Sequence, residues 1–318
     1  RDELFGPAFA GSTFVSEPVH NMIHREIMTP RGVTFTSRRA PDEQKSEFLA
    51  SSDNWFRPTS IQTGPEGALW VADMYRAVIE HPEWIPRDWQ KRLDLRAGQD
   101  KGRIYRVYPV GKKPRRIPRL DRLDTAGLIA ALDSPNGWQR DTAQQVLVWR
   151  KDATAVPALE KMTSDCQRPL GRLHALCTLD GLNALTPALL RRALADPHPG
   201  IRRHAIRLCA RHLAKSPELG AELVKRVGDA DPQVRMQLAY TLGEWGDARA
   251  GAALGQLALR DAGDRYLTAA VMSSVNRQNL DRVLVTVMKG GEKAPPPAAL
   301  VESCLLYTSD AADDLTRV

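Results

Sequence analysis

The stretch at residues 196–213, D-P-H-P-G-I-R-R-H-A-I-R-L-C-A-R-H-L, decides the fold of most of the chain. In its opening pair, Asp196 can cap a helix N-terminus, while Pro197 lacks only an N–H that has no helical partner. Apolar residues then return every three or four positions along one stripe: Ile201, Ala205, Leu208, Cys209 and Leu213. The stretch therefore predicts an amphipathic helix whose apolar face packs against a neighbour.

The same pattern recurs along the chain. An Asp-Pro pair at Asp231 opens a helix with the stripe Val234, Leu238, Leu242 and Trp245. Arginine returns every 30 to 33 residues: Arg140, Arg172, Arg202, Arg235 and Arg265. A period in this range is typical of a helical solenoid. The units resemble HEAT repeats, of which we predict about five over residues 121–303, with the Pro run at 295–297 as a break or the start of a linker.

Residues 1–110 have a different rhythm, with short β-prone runs between Gly and Pro: 12–15, 21–28, 33–37, 61–63, 68–72 and 103–108. Many short strands separated by turns indicate a sandwich, barrel or propeller. Run 103–108 is partly apolar on both faces, which favours a strand covered on both sides, as in a stacked propeller blade. A Trp- and Pro-rich insertion at 77–99, with a short helix predicted over 87–95, is typical of a lid or interaction loop.

Several quoted motifs carry a resemblance to a known family. They are W-F-R-P at 55–58, G-P-E-G-A-L-W-V-A-D-M-Y-R at 64–76, E-H-P-E-W at 80–84 and G-R-I-Y-R-V at 102–107. This combination resembles the last one to two propeller blades of planctomycete-type membrane-bound dehydrogenase domain proteins, which are similar to quinoprotein glucose and sorbosone dehydrogenases. The fold class expected is thus α+β and multidomain, with a partial β-propeller followed by an all-α HEAT-type solenoid.

Polar residues cluster around the end of the predicted strand 68–72. Arg57 precedes a strand, and its guanidinium could hold a cofactor carboxylate or substrate oxyanion, or form an ion pair with Asp53 or Asp73. Asp73 could ligate calcium, orient Arg76 or cap a turn. The sequence does not decide among these three roles of Asp73.

The next residues extend the cluster into the insertion. Tyr75 and Arg76 could line the propeller mouth or pack between blades. His81 precedes a proline, so its backbone is extended and its ring could act as a base near neutral pH, or it could be structural. In the resemblance, His81, Arg57 and Arg76 are the catalytic candidates, Asp73 and Tyr75 bind the cofactor, and His20 projects from an adjacent blade.

The resemblance implies a fragment of a dehydrogenase that oxidises a small sugar or alcohol, exported to the periplasm or cell envelope. Pyrroloquinoline quinone and calcium are possible cofactors of the parent, and this fragment is expected to be inactive. The first alternative is a non-catalytic propeller and HEAT scaffold with a protein partner on the solenoid. The second is a calcium-dependent lactonase-like hydrolase, which requires several carboxylates around one cavity.

Composition narrows the remaining classes. The net charge is +7, but the basic connector at 111–120 lacks interleaved aromatics, so we expect a solvated linker and no nucleic-acid partner. None of the four cysteines has C-x-x-C spacing, which leaves no zinc, redox or haem motif. The chain shows neither a signal peptide nor an apolar run of membrane length. Residues 304–318, which include Cys304, resemble a translated sequencing adapter and are excluded from fold reasoning.

Overall fold

The structure, a computed structural model, describes residues 1–290 and 301–302. The Pro run at 295–297 and the adapter-like tail lie outside the described residues. Contacts divide the chain into two compact units, Arg1–Trp149 and Arg150–Val318. The first helices of the predicted repeat region are thus grouped with the strands.

The first sheet is antiparallel, and its second strand pairs with each of the other three. Its strands are β1 (Ser12–Glu17), β2 (Met22–Arg31), β3 (Thr34–Arg39) and β4 (Leu49–Ala50). Ile23 of β2 is fully buried, and four phenylalanine rings pack beside this sheet, the closest being Phe14 and Phe48 with centroids 4.6 Å apart. Only β4, two residues long, has no counterpart among the predicted strands.

The second sheet positions the candidate site. Its strands β5 (Pro58–Thr63), β6 (Leu69–Asp73) and β7 (Arg103–Val107) pair antiparallel in chain order. The turn before β6 places Gly67 at φ 97°, a conformation that glycine adopts without steric cost. Neither sheet closes into a barrel within the described residues, so the structure contains the predicted mixed α+β architecture but does not confirm a propeller.

Strand β7 differs from its prediction. It pairs with β6 alone and so forms an edge, and Ile104 on it is 71% exposed. The prediction that β7 is covered on both sides is therefore wrong. The insertion after β6 contains one short helix, α1 (Arg87–Gln90), which is shorter than the predicted 87–95. Two further helices complete this unit, α2 (Thr125–Ala131) and α3 (Gly137–Arg150).

The second unit is helical throughout its described residues. Its helices are α4 (Val156–Asp165), α5 (Pro169–Gly181), α6 (Pro187–Leu194), α7 (Pro199–Cys209), α8 (Pro217–Val224), α9 (Pro232–Gly243), α10 (Ala248–Arg260), α11 (Arg265–Met272) and α12 (Leu280–Gly290). One layer holds α5, α7, α9 and α11, and α6, α8, α10 and α12 pack side by side as the other. Both predicted apolar stripes are buried, which confirms the helical repeat.

The two Asp-Pro pairs behave differently. Asp231 caps α9 by accepting hydrogen bonds from the backbone N–H of Gln233 and Val234, as predicted. The predicted cap at Asp196 is wrong, because α7 begins at Pro199 and is capped by His198. The second proline of the D-P-H-P run holds His198 extended and moves the helix start by two residues.

Candidate functional site

Asp73, at the end of β6, is the centre of a hydrogen-bonded network. Its side chain is fully buried. Oδ1 accepts the backbone N–H of Arg57 and of Tyr75, each at 2.8 Å. Oδ2 accepts Nε and Nη2 of Arg103 at 3.1 and 3.0 Å. One carboxylate therefore ties three segments of the first unit together, and both of its oxygens are occupied by N–H donors.

Arg57 uses its guanidinium to hold the main chain. It donates to the carbonyl oxygens of Pro18 and Val19 at 2.8 and 3.2 Å, in the turn between β1 and β2. On the other side it donates to the carbonyls of Arg76 and Ala77 at 3.0 and 3.1 Å. Among the described residues Arg57 forms no ion pair with Asp53 or Asp73, the alternative considered for it, because only its backbone N–H reaches the Asp73 carboxylate.

Tyr75 lies between an arginine and an aspartate at the entrance to the insertion. The guanidinium of Arg103 stacks 3.7 Å from its ring centroid, and Trp55 packs 5.7 Å away. A hydrogen bond to Asp53 raises the pKa of the Tyr75 hydroxyl. The Trp55 backbone N–H, then Tyr75 and Arg103, hold the pKa of Asp53 below its usual value. Tyr75 adopts φ 50°, a left-handed conformation that non-glycine residues rarely take.

Arg76 and His81 face different surroundings. Arg76 donates to the carbonyl of Leu95 at 2.9 Å and so closes the base of the insertion. The ring of His81 is 70% exposed and accepts the N–H of Glu83 at 3.3 Å, which caps the short turn Pro82–Trp84. Within residues 1–290, no hydrogen bond or ion pair joins His81 to Arg57, Asp73 or Arg76. His20 is also exposed, 3.5 Å from Glu17.

The structure thus joins Arg57, Asp73, Tyr75 and Arg76 and leaves His81 apart. The sequence interpretation missed Arg103, which completes the network. A signal for it was present: Asp73 ends β6 and Arg103 begins β7, and antiparallel pairing sets these two residues directly opposite each other.

The network does not fit the calcium ion that the resemblance implied. A calcium site needs six to eight oxygen ligands, whereas both oxygens of Asp73 already accept N–H groups. Over residues 1–290 and 301–302, no three His, Cys, Asp or Glu side chains are arranged to hold a metal ion. The residues around Asp73 therefore do not form a calcium site.

The second unit contains a repeated pairing, which we call the Arg–Asp ladder. Each rung joins an arginine in the first turn of one helix to an aspartate in the turn that opens the next repeat, through two hydrogen bonds of 2.7–2.9 Å. The rungs are Arg172 with Asp196, Arg202 with Asp229, and Arg235 with Asp261. Three of the five arginines in the predicted period therefore form these rungs.

Each rung also anchors its own turn. In the middle rung, Nη1 of Arg202 donates to the carbonyls of Asp196 and Pro197 at 2.9 and 3.0 Å. Burial alone raises the pKa of Asp229, but hydrogen bonds from Arg202 and from the Asp231 N–H bring it below its usual value. The carboxylate therefore stays charged and bound.

A groove crosses the layer of α4, α6 and α8. Its volume is about 700 Å³, and its lining includes Glu160 of α4, Arg191 and Arg192 of α6, and Glu222 of α8. The uncharged residues of the lining are Thr186, Ala188, Leu189 and Ala195. Both arginines of this groove are exposed to solvent.

Comparisons with known proteins match each unit separately. Residues 1–111 match a family described as a domain of unknown function, DUF7133. Residues 186–274 match the family of HEAT repeats. The predicted HEAT solenoid is thus confirmed for that range, and no curated protein matches the chain. No helix among the described residues is long and apolar enough to cross a membrane.

Proposed function

We propose that this chain is a non-catalytic scaffold whose helical repeats bind a protein partner. The observation that carries the proposal is the Arg–Asp ladder, because three rungs of the same geometry repeat along the helical unit. A solenoid with uniform joints presents an extended, pre-organised surface, which lowers the entropy cost of binding. The match to HEAT repeats supports the same function.

The β6 network also supports a scaffold. A catalytic arginine needs N–H groups free for substrate, yet the guanidinium of Arg57 donates to four main-chain carbonyls. A general base needs a partner that positions it, yet His81 is solvated and bonds only its local turn. These residues hold the main chain in place.

One observation favours a second candidate, the dehydrogenase parent. Two antiparallel meanders, β1-β2-β3 and β5-β6-β7, follow each other in the chain, as successive propeller blades do. In that case the chain would come from an exported sugar or alcohol dehydrogenase, and its cofactor would be held by other blades. Saturable binding of pyrroloquinoline quinone with calcium would support this origin.

Selection from a random peptide library displayed on phage tests the scaffold function. Immobilised chain should enrich peptides that share a motif and that bind it saturably. Variants at Arg57 or His81 should leave this binding unchanged wherever the fold is intact. Enrichment of no peptide, or binding lost only in the His81 variant, would overturn the proposal.

A further inference from the structure

The groove across α4, α6 and α8 contains two cations without partners. Among the described residues, neither the Arg191 nor the Arg192 side chain forms a hydrogen bond or an ion pair, although both line the groove. Both are exposed, unlike the ladder arginines, whose side chains are 10–14% exposed. An arginine with free N–H groups can bind a carboxylate through two parallel hydrogen bonds.

The acidic residues of the groove do not cancel these cations. Glu222 is bonded to Lys225 at 2.6 Å. The hydrogen bond from Lys225, with the charges of Arg226 and Arg191, lowers the pKa of Glu222. Glu160 is the remaining carboxylate in the lining and has no such partner among the described residues. With Glu222 paired to Lys225, two positive charges, Arg191 and Arg192, stand against the single negative charge of Glu160.

The shape of the groove suits a chain segment. Ala188 and Ala195 lie three and four residues from Arg191 on α6. Their small side chains leave a depression on α6 between α4 and α8. Since no aromatic residue lines the groove, it offers no stacking platform for nucleic-acid bases.

We propose that this groove binds an acidic peptide segment of a partner protein, with Arg191 and Arg192 each holding a carboxylate. The inference rests on the scaffold function proposed above and specifies its partner. The net charge of +7 adds long-range attraction for such a segment. Small side chains of the peptide would lie over Ala188 and Ala195.

The test is fluorescence anisotropy of the full chain with a labelled peptide of Glu and Leu, compared with the same peptide carrying Gln in place of Glu. We expect binding of the Glu peptide only, weakened by added salt. The double variant R191E/R192E should bind about tenfold more weakly or worse, since each arginine makes a charged hydrogen bond. The milder R191Q/R192Q variant keeps the test valid if charge reversal disturbs folding.

Two further variants distinguish binding at the groove from attraction by the overall positive charge of the chain. R211E/K215E makes the same change in net charge at exposed positions outside the groove, and it should bind like the unaltered chain. E160Q removes the free carboxylate and should tighten binding. Equal weakening by both charge reversals, or no binding of the Glu peptide, would overturn the inference.

The outcomes distinguish this inference from the scaffold function. If library peptides bind the chain but acidic ones do not, the groove assignment fails and the scaffold function stands. Tighter binding of a single-stranded oligonucleotide than of the peptide, lost in R191E/R192E, would assign the groove to nucleic acid instead. If no peptide binds at all, both fail.

Discussion

Arg57 in the first unit and Arg202 in the second do similar physical work in different settings. Both guanidinium groups donate to main-chain carbonyls. Arg202 also pairs with a buried carboxylate, and its arrangement recurs at Arg172 and Arg235. Arg57 has a bonding pattern of its own. The difference teaches how far sequence can identify a structural arginine. An arginine that recurs at a fixed period is recognisable as structural, whereas a single arginine beside other polar residues resembles a catalytic one.

The largest effect is expected from breaking a ladder rung. Arg202→Ala leaves the buried Asp229 without its bidentate partner, which costs about 3–5 kcal/mol of unfolding free energy. Urea unfolding followed by far-UV circular dichroism measures it. The control Arg211→Ala removes an arginine that is 74% exposed and should cost about 1 kcal/mol or less. Equal costs would show that the ladder does not stabilise the solenoid.

A smaller loss is expected at the centre of the first unit. Asp73→Ala removes the acceptor for two backbone N–H groups and should cost about 2–4 kcal/mol. Asp73→Asn keeps one acceptor oxygen and should lose less. Amide hydrogen exchange at Arg57 and Tyr75 reports the change directly. Unchanged amide exchange at Arg57 and Tyr75 in both variants would show that Asp73 does not stabilise this part of the main chain.

Two glycines of the first unit allow a controlled test of the packing at the base of the insertion. Gly98 and Gly111 both have positive φ, at 87° and 78°. A Cβ at Gly98 would collide with the carbonyl of Tyr75, while one at Gly111 would meet nothing. Gly98→Ala should therefore cost about 1–3 kcal/mol, and Gly111→Ala about 1 kcal/mol from backbone strain alone. Thermal unfolding of both variants measures the two costs. A larger loss of stability in Gly111→Ala than in Gly98→Ala would contradict the prediction.

The smallest effects concern two histidines with opposite shifts. Hydrogen bonds to Glu47 and Glu26 raise the pKa of His24 above its ordinary 6.5, while burial beside arginines lowers that of His204. The His24 contribution is complete below pH 6.5 and is lost as pH rises through the raised pKa. His204 instead destabilises the fold as pH falls below 6.5. NMR titration of both rings should give a pKa above 6.5 for His24 and one below 6.5 for His204. Equal pKa values would contradict this prediction.

The solenoid was largely predictable because its determinants are local. Helical stripes such as Ile201 to Leu208, and the cap at Asp231, follow from spacing and side-chain chemistry. The cap at Asp196 failed because Pro199 moves the helix start past it, and its carboxylate pairs instead with Arg172, 24 residues away in sequence. A contact at that separation leaves no mark on a local pattern.

The candidate site was only partly predictable. Sequence identified four members of the network around Asp73, because clustered polar residues at a strand end are conspicuous. It could not show that the donors of Arg57 are used by carbonyls of Pro18 and Val19, since main-chain acceptors have no sequence signature. His81 was selected by chemistry alone, and the fold gives it no partner within the network.

The central claim is that the polar residues around β6 hold the main chain and do not bind a cofactor. Calorimetric titration of the full chain with pyrroloquinoline quinone and calcium tests it most directly, with the exposed variant His81→Gln as a fold-neutral control. We expect no saturable heat from either protein. Saturable heat in the unaltered chain would contradict the claim, and its loss in His81→Gln would place the cofactor site at the insertion.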